Sequence, residues 1–108
     1  MAFADDVVDW ITGEITTIGL ASGSLEANEI TGGGYAPIAP DYPASGTDGE
    51  SDISAPLEFS GPPNQSITHA IFRRAAGVWF IRPLDAPDNL NSDGRWDMTS
   101  AAITNAIV

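Results

Sequence analysis

The stretch Ser66-Ile-Thr-His-Ala-Ile-Phe-Arg-Arg74, Ala75-Ala-Gly77, Val78-Trp-Phe-Ile81 decides the fold. Ile67, Thr68, Ala70, Ile71 and Phe72 are β-branched, aromatic or small apolar residues that suit a half-buried pleated surface, so residues 66–73 are predicted as a strand. Ala75-Ala76-Gly77 is short and ends in the one residue that takes a positive φ without cost, which predicts a tight hairpin turn into a second strand over 78–81.

Upstream, Ile53, Ala55, Leu57 and Phe59 alternate with Ser54, Pro56 and Glu58, a period of two that implies one buried face. Pro56 cannot donate to a ladder and places this strand at an edge. Gly61-Pro62-Pro63-Asn64 turns the chain between the two. Residues 40–52 are mostly Gly, Ser, Pro, Asp and Glu and read as a long surface loop. Before it, a strand through Tyr35, Pro37 and Ile38 would lie at an edge that needs covering. The run Gly32-Gly33-Gly34 allows positive φ or a close approach to another chain. Ile15, Thr16, Thr17 and Ile18 predict a first strand over 14–20, closed by Ser22-Gly23-Ser24. Phe3, Val7 and Ile11 at four-residue spacing, with Val8 and Trp10 beside them, predict a helix over 2–12 that Gly13 stops. Trp10 reads as a core residue. Downstream, residues 87–94 read as a second polar loop, and 96–98 and 102–108 as short strand pieces. Together these elements predict one domain over residues 1–108. Its fold class is mainly β: an antiparallel β-sandwich or jelly-roll-like domain of six to eight short strands with a short N-terminal helix.

Composition narrows the function. Fifteen acidic residues face four arginines and no lysine, a formal charge of -11 that repels nucleic acid and anionic lipid. The expectation is no nucleic-acid partner and no membrane partner. No cysteine is present, which removes disulfides and thiolate metal sites. No apolar run reaches 18 residues, and the acidic start of the chain fits neither a secretory nor a transit peptide, so synthesis in a cytoplasm is expected.

Catalytic chemistry finds little footing. His69 is the single histidine, so no His-based triad or multi-histidine metal site can be assembled within one chain. A local hydrogen bond within a strand accounts for it. No serine sits in a Gly-x-Ser-x-Gly context. Asn89-Leu90-Asn91-Ser92-Asp93-Gly94 spaces oxygen ligands as a calcium loop does, but Asn89 stands where an Asp should lead and Ser100 where a bidentate Glu should close the cage. An Asx-bonded turn is the better reading. No enzyme, no catalytic residue, no cofactor and no metal site are therefore expected. Trp and Arg are the types enriched at interface hot spots, which singles out Trp79, Arg73, Arg74 and Arg82, with Tyr35 and Pro37 on the predicted edge, as candidate interface residues, although Trp79 reads first as core and pairing with the chain's own carboxylates is the commoner fate of such arginines.

The stretch Asn28-Glu29-Ile30-Thr31-Gly32-Gly33-Gly34-Tyr35-Ala36 resembles a motif of small tailed-bacteriophage structural proteins, often labelled tail fibre proteins and in several cases resembling capsid decoration, or cement, proteins. An N-terminal helix, a strand leading into the motif, the apolar-Thr-His-apolar strand at residues 67–72, a hairpin and the Asp93-Gly94 turn follow in the same order as in that family. The strand before the motif is plainer here than in the family. The resemblance implies a β-sandwich or jelly-roll-like fold, no catalytic residues, no cofactor and a place on the virion. A decoration protein on the outer capsid surface would have as partners the major capsid protein and copies of itself, a homotrimer before a dimer. A tail or fibre-associated protein is the alternative, and a small carbohydrate-binding module using Trp79 and Trp96 in one groove is a third.

Overall fold

The computed structural model describes residues 3–43 and 50–104, with the side chains of 3–7 and 103–104 left aside. It is mainly β, with antiparallel sheets and one short α-helix near the N-terminus. Helix α1 spans Phe3–Glu14, so it carries on through Gly13, where the sequence predicts its end. Val8 and Ile11 are buried on it. Trp10 sits about 200° round the helix from Val8 and is 57% exposed, which corrects its reading as core.

Strand β1 (Thr17–Ala21), β4 (Ser66–Arg74) and β5 (Gly77–Asn89) form a three-stranded sheet with β4 in the centre. The hairpin predicted over 66–81 is present, with Gly77 at φ 124° closing the two-residue turn. β5 extends to Asn89, so the predicted loop over 87–94 begins three residues late. Two prolines are tolerated because the ladder is irregular there: Ile67 pairs with Asp88 while His69 pairs with Pro83, and residues 84–87 bulge away between them. A second sheet joins β3 (Leu57–Ser60) to β6 (Arg95–Met98), and a two-residue ladder joins β2 (Glu50–Ser51) to β7 (Ile103–Thr104). β2 falls inside the predicted loop over 40–52, of which residues 44–49 lie outside the described residues, as do 105–108 of the predicted last strand.

The core is shared between elements. Ile18 and Leu20 of β1, Ile67, Ala70 and Phe72 of β4, Leu57 and Phe59 of β3, Met98 of β6 and Val8 and Ile11 of α1 form one buried cluster. Phe72, fully buried, stacks on Phe80 with ring centroids 4.6 Å apart. Of the predicted buried face over 53–60, Ile53, Leu57 and Phe59 are buried but Ala55 is exposed, because only the last four residues pair as a strand.

The triglycine bend explains itself at the backbone. Gly32, Gly33 and Gly34 all have positive φ, 83°, 62° and 80°, and the Tyr35 N–H closes the turn onto the Gly32 carbonyl at 3.0 Å. A Cβ on Gly33 would overlap the carbonyl carbon of Gly61, and one on Gly94 would overlap the carbonyl oxygen of the same residue. Gly61 also donates its N–H to the Gly94 carbonyl at 2.8 Å. Three distant turns thus meet at a point with no room for a side chain. The close approach expected of this bend is made within the chain.

Candidate interaction surface

The Asn-Glu motif builds a polar clamp over β1. Glu29 accepts from both Arg73 Nη atoms, at 3.0 and 2.7 Å, and from the Tyr35 hydroxyl at 2.7 Å, while that hydroxyl accepts the Leu20 N–H at 2.9 Å. Gly19 lies beneath, and any side chain there would strike Tyr35 and Glu29. Arg73 also lies 3.6 Å from the exposed Glu26. Of the predicted interface residues, Tyr35 and Arg73 are therefore held by partners of their own chain. The clamp covers the edge of β1, and Ile38 completes the cover through a two-way backbone bridge with Ile18.

Burial by itself would push the Glu29 carboxyl up, but the hydrogen bonds from Arg73 and Tyr35 and the Arg73 charge overcome it and hold it below its ordinary value of 4.5. Burial first, and the bond to Glu29 second, push the Tyr35 phenol up. A carboxyl lowered by folding contributes stability that is full above its unfolded pKa and is lost as pH falls through the folded one. The stability gap between the wild type and Glu29→Gln is expected to be constant near neutrality and to close as pH drops below about 4.5. Urea unfolding of both proteins from about pH 7 to about pH 2 reads this, and comparing the two cancels the titration they share.

The second cluster lies at the other edge of the sheet. Phe72 pairs with Phe80 and Arg73 with Val78, so Trp79 is an extra residue on β5. The bulge turns Trp79 toward the helix, where it meets Trp10 edge-on, ring centroids 5.7 Å apart and planes at 89°. The Arg74 guanidinium sits 4.8 Å above the Trp79 ring, with Glu14 3.8 Å away. Val78 is exposed beside them. Here Arg74 and Trp79, two of the candidate interface residues, come together, and Trp10 joins them. The signal for Trp10 was its angle on the helix, off the stripe of Val8 and Ile11. Trp96 is elsewhere: it packs against Phe59 and donates its indole N–H to Asp88 at 2.8 Å.

Arg82 stands apart from both clusters. Its guanidinium lies 4.7 Å over the Phe72 ring and donates to the Ala102 carbonyl at 2.7 Å. Burial pulls its pKa down, offset by Tyr42, Asp52 and Asp85 nearby. It lines a cavity of about 280 Å³ with Leu84, Asp85 and Met98. Asp52 is engaged by Ser100 Oγ at 2.6 Å and by the backbone N–H groups of Ala101 and Ile53, each at 2.7 Å. Pro37 is exposed on the segment that runs past the β1 edge.

No group of three metal-binding side chains occurs among the described residues. The Asn91 side-chain oxygen accepts the N–H groups of Asp93 and Arg95, at 2.9 and 3.0 Å, which is an Asx turn. His69 Nδ1 lies 2.8 Å from the Thr68 hydroxyl. Among the described residues, no helix is long and apolar enough to cross a membrane. Compared with protein-family models, with curated proteins and with solved structures, the chain matches none.

Proposed function

We propose that this chain is a capsid decoration protein of a tailed bacteriophage, bound to the outside of the shell and bridging joints between major capsid proteins. The observation that carries a binding role is the Trp10, Trp79 and Arg74 surface: a tryptophan 57% exposed, edge-on to another that an arginine covers, on a chain of charge -11. Aromatic rings and arginine supply large contact area and hydrogen bonds at low entropic cost, which is why they concentrate where proteins bind proteins. The resemblance of residues 28–36 and 67–72 to phage structural proteins supports the virion. The shared core supports a sandwich or jelly-roll-like reading of the fold, because Phe59 of one sheet and Phe72 of the other belong to the same cluster.

The charge suits an outer surface, since a face lying on packaged DNA favours cations. A protein that binds several subunits at once stabilises a pressurised shell by linkage and multivalency. The carbohydrate-binding alternative draws no support from Trp79 and Trp96, which contact different neighbours in different sheets. Quantitative mass spectrometry and immunogold labelling of particles from the phage encoding this chain test the proposal. Hundreds of copies spread over the head are expected. A handful at the tail or one vertex, or none, overturns it.

A further inference from the structure

Residues 99–102 lie between β6 and β7 in no ladder, and among the described residues none of their backbone groups bonds to another backbone group. Side chains from three distant parts of the chain hold them instead. Asp52 accepts the Ser100 hydroxyl at 2.6 Å and the Ala101 N–H at 2.7 Å. The Tyr42 hydroxyl donates to the Ala101 carbonyl at 2.6 Å, and an Arg82 Nη donates to the Ala102 carbonyl at 2.7 Å. β7, which continues the segment, pairs Ile103 with Ser51 and Thr104 with Glu50, a ladder two residues long among the described residues.

Little apolar surface fastens this segment. Thr99 and Ser100 are exposed, Ala102 is half-buried, and Ala101 brings a single buried methyl group to the core cluster. Beneath it the packing is open: Ala101 and Ala102 line the cavity of about 280 Å³ together with Ala70, Phe72, Leu84 and Met98. Atoms that face an unfilled space lack contacts on that side, so lifting this wall forfeits less dispersion energy than parting a close-packed interface would. Ile67, Ile71 and Phe72 of β4 are the opposite case. All three are fully buried in the central strand, the kind of element that opens only near the free energy of global unfolding.

We propose that residues 99–104 form a strap, closed by Asp52, Tyr42 and Arg82, that lifts as a unit while the three-stranded sheet stays folded. Segments held by hydrogen bonds rather than by buried apolar area are the ones that open locally, because water replaces each bond as it breaks. Lifting the strap uncovers the Ala70, Phe72 and Met98 side of the cavity. It also frees one carboxylate acceptor and two donors, a hydroxyl and a guanidinium, the groups that now hold the backbone of residues 101 and 102. The strap is a property of the fold and goes beyond the decoration reading, since its opening does not depend on what Trp10 and Trp79 bind.

Native-state amide exchange of the full chain, followed by NMR at rising urea below the unfolding transition, tests it. After correction for intrinsic rates, the Ala101 N–H is expected to exchange about tenfold or more faster than the Ile71 N–H of the central strand. Ala101 should respond little to urea because strap opening exposes little surface, whereas Ile71 should speed up steeply. Asp52→Ala is expected to speed Ala101 exchange about tenfold or more, since hydrogen bonds to a charged group are lost. Tyr42→Phe keeps the ring, removes one hydroxyl and is expected to speed it about two- to tenfold. Ala101 and Ile71 exchanging at one rate with one urea dependence overturns the proposal, because the segment then opens only with the whole domain. So does an Ala101 rate that neither variant changes, because these side chains then do not close the strap.

Discussion

Gly33→Ala is expected to lower the melting temperature by more than about 10 °C. Two costs coincide at that residue. Its φ of 62° is left-handed, which charges an L side chain about 1 to 2 kcal/mol, and the new Cβ would overlap the Gly61 backbone, an overpacking worth about 1 to 3 kcal/mol more. The sum, about 2 to 5 kcal/mol, is a large part of the 5 to 15 kcal/mol typical of whole domains. Gly34 separates the two costs, since its φ of 80° is equally left-handed but a Cβ there meets nothing within 4 Å. Gly34→Ala should lose only the backbone part, about 1 to 2 kcal/mol. Differential scanning calorimetry of both variants reads the difference, and equal losses would refute the close approach of Gly33 to Gly61.

Glu29→Ala is the second. The truncation removes two charged hydrogen bonds to Arg73 and one to Tyr35, and leaves a mostly buried guanidinium facing a void. Breaking one side of a buried pair costs about 3 to 5 kcal/mol, and the low end applies because Glu26 lies 3.6 Å from the same Arg73 nitrogen. A loss of about 3 kcal/mol in chemical denaturation is the expected result. Arg73→Ala should cost less than the sum of both single changes predicts when combined with Glu29→Ala, the mark of direct coupling. Additive losses would show that the two side chains stabilise the fold independently.

Local pattern carried the sequence reading furthest where neighbours in the chain are neighbours in space. The β4–β5 hairpin, the alternation of Leu57 and Phe59 and the helix all follow from periodicity and one turn glycine. What escaped depends on distance. Nothing local in Asn28-Glu29 reveals that the carboxylate meets Arg73, 44 positions away, or that Gly33 meets Gly61. The length of β5 was hidden by Pro83 and Pro87, which signal a strand end; here Pro83 is the last paired residue before the bulge and Pro87 lies within it. Of the candidate surface, Arg74 and Trp79 were legible as residue types. Trp10 was misjudged because composition marks an indole as core, whereas its angle on the helix puts it outside.

The central place of β4 also dictates an order of events in time. Its pairing with β5 needs only a two-residue turn, and hairpins of this kind form in about 1 to 10 µs. Its pairing with β1 joins Thr17 to Arg73 and Ala21 to His69, across some 50 intervening residues. During synthesis at about 5 to 20 residues per second, β1 is made about 3 to 10 s before its partner exists. For that interval Ile18 and Leu20, fully buried in the finished domain, have no sheet to join. Chaperones would meet this protein at its first strand, before its last has been translated.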